Sequence, residues 1–299
     1  MDLWYRLFSV MWKITEKSDA KNLAHQVFPR GITTVADMPY GDDGDHYHLF
    51  DAYYPTENDG KLPVIIDIHG GGWMYADKDL NIFYNQYLAA RGFLVFSLSY
   101  RLVPEVTVRE QLQDVMSALC AIKEKMKELP CDPTKVMLTG DSAGGQLAAF
   151  AAAMGRSALL REHFDVPDPG IDFSCLTLTC PVAYMNEPSL MGAYGRLMWK
   201  KRPFRASQDA YMNFDELLGC VDSLPPTLLI TSDGDVVARW QTIKLHGHLL
   251  QKGVRSTLLN FGSPEGKILG HVFAVLAPES KEGRICLDKT CAFFREVAG

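Results

Sequence analysis

Short, nearly continuous apolar runs alternate with longer segments of mixed polarity from about residue 45 onward. Such runs are typical of strands covered on both faces. In one longer segment, apolar positions recur every three or four residues, at Leu112, Val115, Leu119, Ile122 and Met126, which predicts a helix facing a core. The alternation predicts an α/β fold with a mostly parallel sheet. Predicted strands cover residues 48–54, 64–69, 93–100, 135–139, 173–180, 227–231 and 255–261, and predicted helices cover 108–129, 143–154, 240–252 and 281–297.

Two segments break this rhythm, one at about residues 1–30 and the other at 184–221. The first carries apolar residues at helical spacing, which predicts an amphipathic helix packed on the protein body. The second is rich in Tyr, Met, Trp and Phe, and a structureless loop of that length is unusual in a compact domain. We therefore expect helices in both segments, within a single domain that spans residues 1–299.

Composition narrows the classes of function. The net charge of −6 disfavours a nucleic-acid-binding protein, which usually has a basic face. No apolar run reaches the roughly 18 residues of a membrane span, and the N-terminal segment lacks the basic region and cleavage site of a signal peptide. We therefore expect no stable membrane insertion and a cytoplasmic location. The seven cysteines form no CxxC pair, which favours free thiols over a disulfide framework or a zinc site.

The clearest chemical motif is Gly140-Asp141-Ser142-Ala143-Gly144, which directly follows a predicted strand and precedes an Ala-rich predicted helix. In this context G-x-S-x-G is the pattern of a nucleophile elbow, which exposes a serine hydroxyl on a sharp turn. Small flanking residues let strand and helix approach closely. The helix N-terminus also directs N–H groups toward developing negative charge. Ser142 is therefore the predicted nucleophile.

A second motif, His69-Gly70-Gly71-Gly72-Trp73, follows the apolar strand VIIDIH. Consecutive glycines leave backbone N–H groups uncovered, and such a loop supplies part of the oxyanion hole in hydrolases with a nucleophile elbow. We expect the N–H groups of Gly71, Gly72 and Ala143 to form that hole. His69 is expected to hold the loop in place by a hydrogen bond.

Together these motifs resemble the hormone-sensitive-lipase-like esterases, also called bacterial family IV carboxylesterases. The matching pieces stand in family order over about 200 residues: HGGGW at 69–73, SYRLVPE at 99–105, GDSAGG at 140–145, TSDGDVV at 231–237 and GHVF at 270–273. Val103 replaces the family's usual alanine, and Val236-Val237 follows the acid where the family often has Pro-Leu. The resemblance implies an α/β-hydrolase fold with an eight-stranded, mostly parallel sheet and a helical cap built from segments 1–30 and 184–221.

The family order Ser…Asp…His implies a catalytic triad of Ser142, Asp235 and His271. Asp235 follows a predicted strand, and His271 lies in a glycine-rich stretch after the last one. Asp233, two residues before Asp235, is the rival acid. Asp141 and Asp114 also match family acids and are expected to be buried hydrogen-bond partners that hold loops.

The resemblance implies a serine carboxylesterase that hydrolyses short- to medium-chain acyl or aryl esters through an acyl-enzyme, without a cofactor or metal. The same triad leaves open an amidase or formamidase, an acyltransferase, and an acetyl or feruloyl carbohydrate esterase. A non-catalytic ligand receptor is disfavoured because all three triad residues are present. A small-molecule ester is the expected partner, and a homodimer stays open because family members often dimerise.

Trp73 is the expected substrate-binding residue, because it adjoins the oxyanion loop. Further candidates for an apolar pocket wall are the Met and aromatic residues of the second irregular segment, although such residues are more often core. They are Tyr184, Met185, Met191, Tyr194, Met198, Trp199, Tyr211 and Phe214.

Overall fold

The computed structural model describes residues 3–187, 190–200, 211, 213–219, 224–263 and 266–299, and within them it contains one eight-stranded sheet. The strands are β1 (Ile32–Pro39), β2 (Leu49–Pro55), β3 (Leu62–Ile68), β4 (Leu94–Leu98), β5 (Cys131–Asp141), β6 (Cys175–Thr179), β7 (Thr227–Ser232) and β8 (Ser256–Phe261). The helices are α1 (Leu3–Leu23), α2 (Ile82–Ala89), α3 (Val108–Lys125), α4 (Ser142–Arg156), α5 (Ala158–Phe164), α6 (Leu190–Lys200), α7 (Phe214–Leu218), α8 (Arg239–Gln251), α9 (Phe273–Leu276) and α10 (Lys281–Ala298).

The strands lie in the order β1-β2-β4-β3-β5-β6-β7-β8. The β1–β2 and β2–β4 pairs are antiparallel, and every other neighbouring pair is parallel. This arrangement confirms the predicted α/β fold with a mostly parallel eight-stranded sheet. The carboxyl ends of the parallel strands meet at one edge, where ligands bind in open α/β sheets.

Strand β1 and helix α2 are absent from the pattern-based assignment of strands and helices, as are the short helices α5 and α9. Strand β1 has polar residues on its exposed side and a register shift between Val35 and Met38, so its sequence does not form an apolar run. Helix α2 is short and buried on most of its surface, so it shows no clear polar face. Both elements depend on contacts with neighbours more than on their own pattern.

The apolar strands supply two cores, one on each face of the sheet. In β3, Val64, Ile66 and Ile68 belong to one core, and Ile65 belongs to the other. Helices α3 and α4 cover the first face, whereas α2 and α10 cover the second. Burying each such side chain stabilises the fold by about 1.5–3 kcal/mol, which explains the apolar runs without polar alternation.

Local capping fixes where the larger surface helices begin. Helix α3 starts after Thr107, whose hydroxyl and backbone N–H pair with Glu110 in a capping box. Helix α10 starts after Ser280, whose hydroxyl accepts a hydrogen bond of 3.0 Å from the Gly283 N–H. None of the helices in the described ranges has the length and apolar character that crossing a bilayer requires.

The two segments outside the βα rhythm contact each other. The Tyr5 hydroxyl on α1 donates a hydrogen bond of 3.1 Å to the Leu197 carbonyl on α6. The Phe8 and Tyr194 rings meet edge to face with centroids 4.6 Å apart. Residues 201–210 of the second segment lie outside the described residues. Helices α1 and α6 thus form a pair, and its role as a cap stays a prediction.

Strand β3 and helix α4 approach each other too closely for any side chain at Gly144. A Cβ atom there would lie 2.0 Å from the Ile68 carbonyl oxygen and 2.3 Å from that of His69. Both neighbours are backbone atoms at the end of β3, Ile68 as its last residue and His69 directly after it, so they cannot move aside without disturbing the sheet edge. Gly247 in α8 is the opposite case, with no neighbouring atom within 4 Å of a Cβ.

We expect Gly144→Ala to lower the free energy of unfolding by at least about 3 kcal/mol, because the new methyl group overlaps the β3 backbone. The matched change Gly247→Ala should raise that free energy by about 0.5–1 kcal/mol, because alanine favours the helix and restricts the unfolded chain. Urea denaturation followed by circular dichroism measures both. Equal stability of the Gly144 variant and the wild type would contradict the inferred backbone contact.

Candidate active site

A sharp turn joins β5 to α4 at Ser142. Its φ of 51° lies in the left-handed region, which costs a non-glycine residue about 1–3 kcal/mol. Residues 136–141 of β5 and 142–154 of α4 are buried, so the surrounding core holds the turn in place. The Ser142 hydroxyl lies at the carboxyl edge of the sheet and lines a cavity. This is the geometry of a nucleophile elbow.

Three side chains far apart in sequence meet at this turn. The His271 Nε2 atom lies 2.8 Å from Ser142 Oγ, and His271 Nδ1 lies 2.9 Å from Asp235 Oδ1. Asp235 follows β7, and His271 lies between β8 and α9. The structure therefore brings the predicted Ser142, His271 and Asp235 into one hydrogen-bonded chain.

The Asp235 carboxylate is fixed by several donors besides His271. Its Oδ1 accepts hydrogen bonds from the backbone N–H groups of Val237 at 2.9 Å and Ala238 at 3.0 Å. The Thr231 hydroxyl donates to Oδ2 at 3.3 Å. Burial alone would raise the pKa of Asp235, but the hydrogen bond and charge of His271, with the Ala238 N–H, lower it to about 2. Asp235 is therefore ionised at neutral pH and can orient the imidazole.

Asp233, the rival acid, has other partners. Its Oδ1 lies 2.8 Å from Arg239 Nη2 and 3.0 Å from Asn260 Nδ2. The Asp233 side chain is half exposed, whereas that of Asp235 is fully buried. Of the two acids, Asp235 is therefore the one that contacts His271.

The predicted oxyanion residues lie beside Ser142. Gly71 has a φ of 91° and Gly72 a φ of 55°, and both line the cavity that contains the Ser142 hydroxyl. Their N–H groups have no acceptor among the described residues. Ala143 is the second residue of α4, where backbone N–H groups have no intrahelical acceptor.

Asp141 links the oxyanion loop to the elbow. Its Oδ1 accepts hydrogen bonds from the Gly70 N–H at 3.0 Å and from Asn81 Nδ2 at 2.8 Å. Burial raises the pKa of Asp141, while these two donors and the charge of His271 oppose the rise. This buried carboxylate holds the loop of residues 69–73 against the turn, as expected for a loop-holding acid.

Two other residues singled out in the sequence also have structural contacts. The His69 ring stacks on Tyr100 with centroids 4.3 Å apart, and its Nδ1 lies 3.0 Å from the Gly70 carbonyl. Burial lowers the pKa of His69 to about 4, so its ring is neutral. Asp114 forms two hydrogen bonds with the Arg101 guanidinium, at 2.6 and 2.9 Å.

The cavity beside Ser142 has a volume of about 620 Å³ and is walled mainly by apolar side chains. Trp73 and Tyr194 line it, as expected, although Trp73 is only 1% exposed and its Nε1 donates to Gln146. Most of the other candidate wall residues were assigned wrongly, because they pack into the main core or lie outside the lining: Tyr184, Met185, Met198, Trp199, Tyr211 and Phe214. The side chain of Met191 lies outside the described residues.

Helix α1 supplies a wall that the sequence did not reveal. Five of its residues line the cavity: Phe8, Met11, Trp12, Thr15 and Asp19. The sequence predicts that the apolar stripe of this helix packs on the protein body. The pattern alone does not separate the two cases, because a stripe that packs on a core and one that lines a cavity have the same spacing. The one signal was Asp19, an acid at the end of the stripe, eleven residues after Phe8.

Two groups of side chains in the described residues have the spacing of metal ligands. Cys180, Asp235 and His271 form one group, and Asp43, Asp45 and His48 form the other. In the first group, Asp235 and His271 already bond to each other and to Ser142. In the second, His48 Nδ1 pairs with the exposed Asp43 carboxylate at 2.9 Å, in the connection between β1 and β2. The six cysteines among the described residues are unpaired thiols.

Several known proteins are similar to this chain in sequence. The BD-FAE family profile matches residues 50–169. Carboxylesterase NlhH of Mycobacterium tuberculosis is 31% identical over 138 residues, which cover 46% of this chain and 41% of NlhH. The probable carboxylic ester hydrolase LipM of the same organism is 31% identical over 206 residues, which cover 67% of this chain and 47% of LipM. The chain thus aligns with less than half the length of these curated relatives.

One solved structure extends the similarity along the whole chain. Esterase B from Lactobacillus rhamnosis, crystallised with a tributyrin phosphonate inhibitor, superposes with a TM-score of 0.91. It is 30% identical, and the alignment covers 100% of this chain and 97% of Esterase B. The similarity therefore includes α1 and α6 as well as the sheet. With its eight-stranded sheet and nucleophile elbow, the chain belongs to the carboxylesterase family of the α/β-hydrolase fold.

Proposed function

We propose that this protein is a serine carboxylesterase in which Ser142 is the nucleophile, His271 the general base and Asp235 the acid that orients it. The observation that carries the proposal is the chain of short contacts from Ser142 Oγ through the His271 ring to Asp235 Oδ1. The Gly71 and Gly72 N–H groups, which have no acceptor among the described residues, lie in the same cavity. Carboxylesterase activity is also supported by the similarity to NlhH and Esterase B.

Acylation begins when the Ser142 Oγ attacks the ester carbonyl carbon. The ionised Asp235 accepts a hydrogen bond from His271 Nδ1–H, which leaves Nε2 free to take the serine proton. The carbonyl oxygen of the tetrahedral intermediate becomes negatively charged. When this intermediate collapses, the bond to the alkoxide breaks and His271 returns the proton to it, releasing an alcohol.

Deacylation repeats the sequence with water as the nucleophile. His271 takes a proton from water as the oxygen adds to the acyl carbon. The second intermediate collapses by breaking the bond to Ser142 Oγ, which recovers its proton from His271. A carboxylic acid leaves, and the enzyme returns to its starting state with no metal or organic cofactor in any step.

The N–H groups of Gly71, Gly72 and Ala143 are proposed to stabilise both oxyanions. Such groups act through preorganisation, because their dipoles already point to the position of the developing charge. Tyr194 supports that preorganisation. Its hydroxyl donates to the Gly72 carbonyl at 2.6 Å and accepts a hydrogen bond from Trp12 Nε1 at 3.0 Å. Helices α1 and α6 are thereby connected to the oxyanion loop by hydrogen bonds that support its position.

The cavity supports short- to medium-chain esters as substrates. Its volume of about 620 Å³ is within the range of small-molecule sites. Phe8 and Trp12 of helix α1 line the cavity together with Val272 and Leu276. A long acyl chain would have to extend beyond these walls into water, where its further methylene groups gain no burial energy.

The proposal is tested first by hydrolysis of p-nitrophenyl esters from acetate to palmitate, by the wild type and Ser142→Ala. We expect wild-type kcat/KM to peak at a short or medium chain. The kcat/KM of the variant should be about 10⁴–10⁶-fold lower than that of the wild type, because the variant lacks the nucleophile. Unchanged circular dichroism would show that the variant is folded. A folded wild type that hydrolyses none of these esters would overturn the proposal.

The assignment of the acid is tested by two isosteric changes. Asp235→Asn should lower kcat about 10⁴-fold, because the amide no longer fixes the required tautomer of His271. Asp233→Asn should change kcat less than about threefold, since it removes only a partly exposed ion pair with Arg239. Steady-state hydrolysis of the best p-nitrophenyl ester compares them. The reverse order of effects would assign the role to Asp233.

The role of Tyr194 is tested by removing its hydroxyl alone. We expect Tyr194→Phe to lower kcat about tenfold and to change KM less than about twofold. Loss of a direct oxyanion donor lowers kcat about 10²–10³-fold. The effect of Tyr194 should be smaller, because it acts on such a donor only through Gly72. Tyr184→Phe is the matched control, because that hydroxyl contacts His248 instead of the loop. A rise in KM at constant kcat would assign Tyr194 to substrate binding instead.

A further inference from the structure

Asp19 on α1 is a buried acid that faces the cavity containing Ser142 and His271. It is 8% exposed, and it lines the same cavity as the proposed catalytic groups. No Lys, Arg or His of the described residues lies within ion-pair distance of its carboxylate. Aspartate is rarely buried without a charged partner, because removing its charge from water is costly. Its position therefore needs an explanation beyond the stability of the fold.

The surroundings of Asp19 satisfy the carboxylate only in part. Burial raises the pKa of Asp19, and the neighbouring Tyr75 side chain partly offsets the rise. An ionised carboxylate offers about four lone-pair positions, so Asp19 can accept further hydrogen bonds or pair with a cation.

Aromatic rings line the same cavity as this carboxylate. Phe8, Trp12, Thr15 and Asp19 are spaced four, three and four residues apart, which puts them on one face of α1. All four line the cavity. The Trp12 ring stacks on Tyr75 with centroids 5.7 Å apart and an angle of 17° between the planes. A carboxylate beside aromatic walls has the chemistry that binds alkylammonium groups, through ionic attraction and cation–π contact.

We propose that Asp19, Trp12 and Tyr75 form a subsite for a positively charged ammonium group of the substrate, remote from the ester bond. The subsite rests on the proposed function, since Ser142 would cleave the ester held in the same cavity. The ammonium group replaces the missing cationic partner of Asp19. The net charge of −6 adds a general attraction for cations.

The test compares two esters of equal shape. Butyrylcholine carries a trimethylammonium group, and 3,3-dimethylbutyl butyrate carries a neutral tert-butyl group in its place. We expect the wild type to favour butyrylcholine in kcat/KM by about tenfold, a preference typical of a partly desolvated cation site. Asp19→Asn keeps the size of the side chain and removes its charge. It should abolish the preference, so that the kcat/KM values of the two esters become equal within about twofold.

Glu16→Gln is the matched control. Glu16 lies on the same helix and loses the same charge, but it is exposed and does not line the cavity. This variant should keep the preference for butyrylcholine. Equal loss in both variants would show that overall charge, and not the subsite, favours the cation, and would overturn the proposal. So would a wild type that does not prefer butyrylcholine.

Binding separates this proposal from the proposed catalytic function. Isothermal titration with Ser142→Ala measures the affinity for each ester without hydrolysis. We expect butyrylcholine to bind about tenfold more tightly than the neutral ester, and Ser142→Ala/Asp19→Asn to remove that difference. If the wild type hydrolysed neither ester, the titration would still decide on the subsite. Equal affinities for the two esters in Ser142→Ala would overturn it.

Discussion

The close contact between Gly144 and the end of β3 is the constraint on which the active site depends. The left-handed turn at Ser142 is unfavourable in isolation, so it persists only where the surrounding structure leaves no alternative. The absence of a side chain at Gly144 lets α4 lie against the Ile68 and His69 carbonyl groups. Residues 142–154 of α4 are buried, so packing energy holds the helix there. The serine hydroxyl is consequently presented at the sheet edge by a rigid core.

A network of buried polar side chains extends this constraint to the oxyanion loop. Asn81 donates hydrogen bonds to both Asp67 and Asp141, at 3.0 and 2.8 Å, and Asp141 accepts from the Gly70 N–H. Burial, with the charge of Asp141, raises the pKa of Asp67 to about 7. The folded protein binds this proton more tightly than the unfolded chain. The stability contributed by protonated Asp67 is therefore present at acidic pH and is lost between about pH 4 and pH 7.

The sequence-based predictions were correct where a local pattern is compatible with only one kind of structure. Strands β3, β4, β6 and β7 form apolar runs because both faces of the sheet are covered there, and nearly all of their residues are buried. The elbow was predictable because few arrangements other than a strand–turn–helix accommodate G-x-S-x-G between an apolar run and an Ala-rich helix. Strand β1 was missed because it lies at the sheet edge, where polar residues are tolerated and pairing with β2 alone defines it.

The cavity wall was harder to predict, for a physical reason. An aromatic residue gains similar energy by burial in a core and by lining a pocket, so the composition of residues 184–221 could not separate the two. Tyr184 and Phe214 are core, whereas Tyr194 reaches the oxyanion loop through its hydroxyl. Helix α1 shows the same ambiguity, since Tyr5 contacts α6 and Phe8 and Trp12 face the cavity. Only a polar group in an apolar stripe distinguishes a pocket from a core, because a core without a partner for that group excludes it.

The wall and the oxyanion loop are also mechanically connected. Trp12 lines the cavity and donates to Tyr194, and Tyr194 donates to the carbonyl of Gly72. A Cβ atom at Gly72 would lie 2.2 Å from the Trp12 ring, so the loop and α1 are in direct contact as well. Any substrate that displaces Trp12 must disturb the support of the loop that is proposed to stabilise the transition state. Substrate selection by α1 and the rate of the chemical step are therefore coupled, because a substrate that fits beside Trp12 leaves the oxyanion loop in its preorganised position.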